Sequence, residues 1–193
     1  SGGESTEHGD GDGDGDGDGD GDGDGDGDGD RIAAIDLYPL AVGNTWNYSL
    51  TMVGDGSPTC SLGSKSAEVL SSMQLDGQQA FVLSTLCDGS PLTLGVDRNE
   101  VVWHEGSQMP PWNDFLANPV AEGQEWSTHY GLEFRWAAEP STVATPAGDF
   151  EECWRREVVG TQTYTTFCPG VGPVRTHAPE SFYEATLESY SLN

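Results

Sequence analysis

Between Gly9 and Asp30 the chain repeats Gly-Asp eleven times without interruption. In an extended strand successive side chains point to opposite faces. The alternation therefore sets Asp10, Asp12, Asp14, Asp16, Asp18, Asp20, Asp22, Asp24, Asp26, Asp28 and Asp30 on one face and bare backbone on the other. Neighbouring carboxylates then lie roughly 6.6 Å apart, where unit charges repel by roughly 0.6 kcal/mol per pair in water. Glycine brings no apolar side chain whose burial would offset this, and it adds a large entropy of ordering. No hydrophobic core can include such a segment. Alone, it is expected as an extended, fluctuating coil.

Divalent cations reverse the balance. Ca²⁺ takes about 6 to 8 oxygens at about 2.3 to 2.6 Å and accepts loosely arranged carboxylates and carbonyls, whereas Mg²⁺ demands a tight octahedron. Asp-x-Asp-x-Asp-Gly also opens the EF-hand loop, but the bidentate Glu at its twelfth position and the flanking helices are missing here. All eleven array aspartates are thus candidate Ca²⁺ ligands. One strand with its carboxylates on one face cannot surround a row of ions, so further arrays must supply the remaining oxygens. Copies of the same chain are the expected source, and association through Ca²⁺ into filaments is the expected consequence.

Composition divides the chain near Arg31. Residues 1–30 hold 13 acids and no Lys or Arg, while residues 31–193 hold 20 acids against 7 bases, so each part carries −13 of the total −26. An acidic surface of this size repels nucleic acid and anionic membranes and concentrates cations. Lys65 is the single lysine beside six arginines, so the acidity of the second part also fits adaptation to a saline habitat. Two parts are expected: an acidic tail over 1–30, with the array at 9–30, and a disulfide-stabilised β domain over 31–193. No window reaches the roughly 20 apolar residues of a membrane-spanning helix. The polar opening SGGEST is of the kind that follows the lipid-bearing Cys of bacterial lipoproteins, and a processed, soluble chain is expected.

Past the array the hydrophobic period is 2, not 3.6. Trp46, Tyr48, Leu50 and Met52 alternate with polar residues, and short alternating runs follow at SAEVLSSMQL, QAFVLSTLC, LTLGV, EVVWHE, EWSTHYG, LEFRWAAE, ECWRREVVG, TYTTFC and ATLESYSL. Asp76-Gly77 reads as a hairpin turn. Only WNDFLANP reads as a helical turn or two. The fold class is all-β: an antiparallel sheet, sandwich or partly open barrel, preceded by the extended Gly-Asp strand.

Cys60, Cys87, Cys153 and Cys168 have no zinc-site spacing, and an even count favours disulfides. Each local pair, Cys60 with Cys87 and Cys153 with Cys168, flanks one set of strand runs, so local pairing is the simplest of the three connectivities. Such bridges contribute roughly 3 kcal/mol each. They require an oxidising compartment, so the expected location is secreted or on the extracellular surface.

Three stretches, YPLAVGNTWNY at Tyr38 to Tyr48, TPAGDFEECWR at Thr145 to Arg155 and CPGVGPVRTH at Cys168 to His177, resemble a pattern in secreted bacterial lipoprotein-like domains of unknown function. There a PL..G..W.Y opening strand is followed much later by PAGtF.c..v, by apGvGlV and by a final strand. The resemblance spans most of residues 36–193. It implies a β-rich exported domain and no activity, and the Gly-Asp array is no part of it.

Other motifs carry less. His104 with Glu105, and His129, are candidate ligands of a small metal site, although single strand histidines are more often structural. Trp103 and Trp112 are candidates for an aromatic platform that binds sugar rings, against the commoner role of Trp in a β core. Asn47-Tyr48-Ser49 matches a glycosylation sequon inside a strand. There is no Gly-x-Ser-x-Gly, HExxH or phosphate loop, so an enzyme is not expected. Three readings remain open: a Ca²⁺-assembled structural protein displaying its β domain, a binding module for a ligand such as carbohydrate on an acidic spacer, and a protein whose Asp rows meet mineral Ca²⁺.

Overall fold

A computed structural model describes residues 32–87, 89–106 and 111–193. The array and its eleven candidate Ca²⁺ ligands lie outside the described residues.

Among the described residues fourteen strands form: β1 (Thr45–Met52), β2 (Gly63–Leu75), β3 (Gln78–Leu83), β4 (Leu92–Asp97), β5 (Glu100–His104), β6 (Trp112–Leu116), β7 (Glu125–Ser127), β8 (Glu133–Ala138), β9 (Val143–Thr145), β10 (Gly148–Phe150), β11 (Trp154–Val158), β12 (Tyr164–Cys168), β13 (Gly172–Ala178) and β14 (Tyr183–Ser191). Twelve build one sheet, ordered β6-β5-β4-β3-β2-β1-β14-β13-β12-β11-β8-β7, and β9 with β10 makes a separate hairpin. Every pairing is antiparallel. Two meanders thus meet where the first and last strands pair, from Thr45 opposite Ser191 to Met52 opposite Tyr183.

The sheet curls until its edges face each other. Between β6 and β7 there is no ladder, and side chains close the gap. The Trp126 indole donates to the Asp114 carbonyl (3.3 Å), the Trp136 indole to the Ala117 carbonyl (2.9 Å), and the His129 backbone N–H to Asn113 Oδ1 (3.0 Å). A nearly closed barrel results. Its open seam is satisfied by donors from large side chains, which covers edge groups that would otherwise be exposed for pairing.

Alternation along the strands selects the interior. Trp46, Tyr48 and Leu50 of β1 are buried, as are Val69, Leu83, Leu94, Val101, Trp136, Phe167, Val174 and Leu187 from strands around the wall. Met52, the fourth residue of the β1 alternation, is 54% exposed, because the strand runs past the core at its end. WNDFLANP corrects the helical expectation: Trp112–Leu116 is strand β6, held against β5 with Val101 opposite Leu116 and His104 opposite Trp112. Backbone bonds to β5 outweigh the weak local preference there, and Asn118 before Pro119 disfavours continuation as a helix.

The segment from Ala34 into the first motif closes one end of the barrel. A short 3-10 turn, Ala34–Leu37, buries Ala34 and Leu37. Its backbone is tied to three separate loops: Ala34 N–H to Asn118 Oδ1 (2.9 Å), Ile35 N–H to the Asn99 carbonyl (3.0 Å), and the Asp36 carbonyl from Gly170 N–H (2.8 Å). Tyr38 follows as a plug, its ring edge-on to Trp46 at 5.4 Å and tilted on Phe167 at 5.8 Å. Asn44 is buried, donates to the Pro39 carbonyl (2.7 Å) and accepts from the backbone of Asn193 (2.8 Å), which pins the last residue to the same base.

Candidate functional site

With the base plugged, the described cavity lies towards the loops at the other end of the barrel. The loops 53–62, 84–91 and 179–182 join strands there, since β1, β3 and β13 run towards that end and β2, β4 and β14 start from it. A cavity of about 260 Å³ leads inward from the second of these connections, at Ser84 to Cys87, and from Tyr183 at the start of β14. Ser84 to Cys87 and Tyr183 form its rim, Leu83, Leu92 and Tyr48 its wall, and Tyr38, Phe115 and Phe167 its floor.

One charged group faces this space. Arg156 stands in β11 between Trp136 of β8 and Thr165 of β12, on the same strand face as Trp154 and Val158. Its guanidinium lies over Phe115 at 4.1 Å, Phe134 at 4.8 Å and Phe167 at 5.8 Å. Nη1 donates to the Phe115 carbonyl at 3.2 Å, and Nε has no hydrogen-bond partner. Among the described residues no carboxylate pairs with it. Burial lowers the Arg156 pKa to about 10, opposed only by Tyr38. Burial also pushes the Tyr38 hydroxyl far above the phenol range, against the pull of Arg156. Tyr48 is raised too, by burial and then by Tyr38, and its hydroxyl donates to the Pro173 carbonyl (2.6 Å). Thr165 and Thr176 hydroxyls, 3.2 Å apart, add polar groups to the wall.

The outer face of the same strands is a different surface. Arg135 meets Glu157 at 2.7 Å, Arg155 lies 3.7 Å from both Glu157 and Glu139, and His177 Nδ1 sits 3.0 Å from Glu184. These exposed and half-exposed pairs contribute little stability each.

The four cysteines form two bridges, Cys60 to Cys87 and Cys153 to Cys168, with Cα separations of 4.7 and 4.3 Å. The first ties loop 53–62 to the cavity rim. The second joins the entry of β11 to the end of β12, fixing the strand that carries Arg156. His104 Nε2 lies 3.3 Å from Asp76 Oδ2 and its ring stands edge-on to Trp112 at 4.8 Å, while the exposed His129 is bound through its backbone to Asn113. Among the described residues no three His, Cys, Asp or Glu side chains converge as cation ligands. Trp103 packs against the core and stands opposite Asn113, one register position from Trp112 opposite His104, so the two indoles leave the sheet on opposite faces. They do not form a common platform. Asn47 is exposed and donates to Ser189 Oγ at 3.1 Å.

Arg156 was absent from the residues singled out by sequence. The signal was the period itself: Trp154, Arg156 and Val158 share one face of WRREV, which sets an arginine at an inward position.

No protein-family model and no curated protein matches the sequence. Two solved structures are similar to the chain. One, from Parabacteroides distasonis ATCC 8503, is described as a putative lipoprotein; it is 13% identical, covers 80% of this chain and 98% of its own, and gives a TM-score of 0.41. The other, from Bacteroides fragilis NCTC 9343, is described as a putative exported protein with a YmcC-like fold. It is 13% identical, covers 83% of this chain and 100% of its own, and gives a TM-score of 0.45.

Proposed function

We propose that the protein is an exported structural protein whose Gly-Asp array binds Ca²⁺ and joins copies of the chain into filaments, with the β barrel carried outside. The observation that carries this reading is the strict alternation of eleven aspartates with glycine. Aligned carboxylates repel until divalent cations bridge them, and the array has no apolar side chains to hold it together otherwise. Glycine lets backbones approach closely on the face that carries no charge. Two disulfides suit an oxidising compartment and keep the barrel folded independently of metal. The described chain begins beside the plugged base, where Ala34 and Ile35 are hydrogen-bonded to Asn118 and Asn99.

Electron microscopy of the full chain tests the proposal. Filaments are expected with Ca²⁺, single particles with EDTA, and no rescue by NaCl, because screening provides no bridging coordination. Acid near the Asp reference pKa of about 3.9 competes with the metal by protonating its ligands. Filaments that survive EDTA would refute the ion-bridged mechanism. A second reading, a ligand-binding module on an acidic spacer, is favoured by the open cavity; chains that stay monomeric in Ca²⁺ would replace the first reading with it.

A further inference from the structure

We propose that the barrel cavity is a binding site for a small monocarboxylate with an apolar body, seated with its carboxylate against Arg156. This goes beyond the assembly reading and does not depend on it.

The cavity is built unlike a packed core. Its walls and floor are aromatic and aliphatic, yet among its described lining residues the single formal charge is a guanidinium, which stays protonated at any physiological pH. Buried charges are normally paired. Arg156, partly exposed through the cavity and the one charged residue among its described lining, instead rests on three phenyl faces, gives one hydrogen bond to a backbone carbonyl, and keeps Nε unsatisfied. Cation–π contacts recover only part of the lost hydration. The missing partner is a counter-anion, and the planar fork of arginine matches a carboxylate bidentately. Thr165 and Thr176 stand on the same wall as further hydrogen-bond groups.

The rest of the space selects the body of the ligand. Leu83, Leu92, Tyr48 and Tyr183 line the way out to the rim, so a hydrocarbon chain or aromatic ring attached to the carboxylate is buried along it. About 260 Å³ is below the ~300–1,000 Å³ of drug-sized sites, which restricts the ligand to a medium-chain fatty acid or a comparable aromatic acid. The chain as a whole carries −26, so anions are repelled from its exterior. Binding of a carboxylate therefore requires a dedicated cation, and the lowered Arg156 pKa is the state that such an anion would relieve.

The test titrates decanoate, decanol and decyltrimethylammonium into the full chain by calorimetry below their micelle concentrations. One decanoate per chain is expected, bound at least about tenfold more tightly than decanol, with no binding of the cation. Arg156→Met keeps the volume and removes the charge, and should bring decanoate down to the level of decanol; circular dichroism checks its fold. Arg156→Lys should retain a preference for decanoate smaller than the native one. If the Met variant does not fold, the native decanoate and decanol contrast and the Lys variant decide. Equal affinity for decanoate and decanol in the native chain would overturn the site. So would undiminished decanoate binding by a folded Met variant, or several decanoates bound per chain.

Discussion

Replacing Gly172 by alanine should destabilise the barrel far more than the same change two residues earlier. Gly172 adopts φ +104°, where L residues are strained, and a Cβ there would lie 3.0 Å from Trp46 Nε1 and 3.2 Å from its Cε2. Trp46 is fully buried, meets the Tyr38 ring edge-on, and donates its indole N–H to the Val171 carbonyl at 2.6 Å, so it has no room to retreat without loosening that bond. Backbone strain costs about 1–3 kcal/mol, and an impaired buried hydrogen bond about 1–3 kcal/mol more. Gly170 supplies the control. It also has a positive φ, +68°, but nothing lies within 4 Å of its added Cβ, so Gly170→Ala carries the strain alone. The difference between the two variants isolates the contact of β1 with the turn before β13. Denaturant unfolding followed by tryptophan fluorescence, without reductant, should place Gly172→Ala about 1–3 kcal/mol below Gly170→Ala, or roughly 2–12 °C lower in thermal midpoint. Equal destabilisation would refute the claim that the opening strand and this turn are locked through Trp46.

Two further outcomes follow from the same structure. Removing the Cys153–Cys168 bridge by a double change to serine opens a crosslink of sequence separation 15 and should cost about 3 kcal/mol, read as an earlier unfolding midpoint; an unchanged midpoint would contradict a formed bridge. Glu180 accepts from the Gln162 backbone N–H and then from the Thr163 hydroxyl, which lowers its pKa from the ordinary 4.5. A lowered folded pKa means that its contribution is present above pH 4.5 and is lost as pH falls through the folded value. Glu180→Gln should therefore lose stability at neutral pH and show a shallower decline on acidification, and parallel pH curves for the two proteins would contradict this.

The strands were legible because a barrel wall with one buried face writes its period directly into the sequence, as in Trp46, Tyr48 and Leu50. Asp76-Gly77 announced its hairpin because both residues take positive φ, a conformation that few residue pairs tolerate. The quoted motifs turned out to meet in space: Trp46 and Tyr48 of the first motif donate to Val171 and Pro173 of the third. Strand β6 was not legible, since Asn113 and Asp114 interrupt its apolar residues and only pairing with β5 makes it extended. The short hairpin of β9 and β10 has three residues per strand, too few for a period to show. Arg156 was hidden for a different reason. The period of WRREV puts Arg156 on the face of Trp154 and Val158, but an arginine in a strand normally reads as solvent-facing, and the rings of β6, β8 and β12 that receive this one come together only in the fold.

Ca²⁺ stoichiometry measured together with mass decides whether the array bridges copies of the chain. Calorimetric titration of Ca²⁺ into the full chain, with sedimentation velocity on the same samples, gives both quantities. Eleven carboxylates neutralised by doubly charged ions predict about five to six Ca²⁺ per chain, with sedimentation moving from monomer to large species as the ions load and returning on EDTA. Changing Asp12, Asp16, Asp20, Asp24 and Asp28 to asparagine should cut the loading to about half and abolish the large species. Fewer than about two Ca²⁺ per chain, or full loading of a chain that still sediments as a monomer, would rule out assembly by ion bridging.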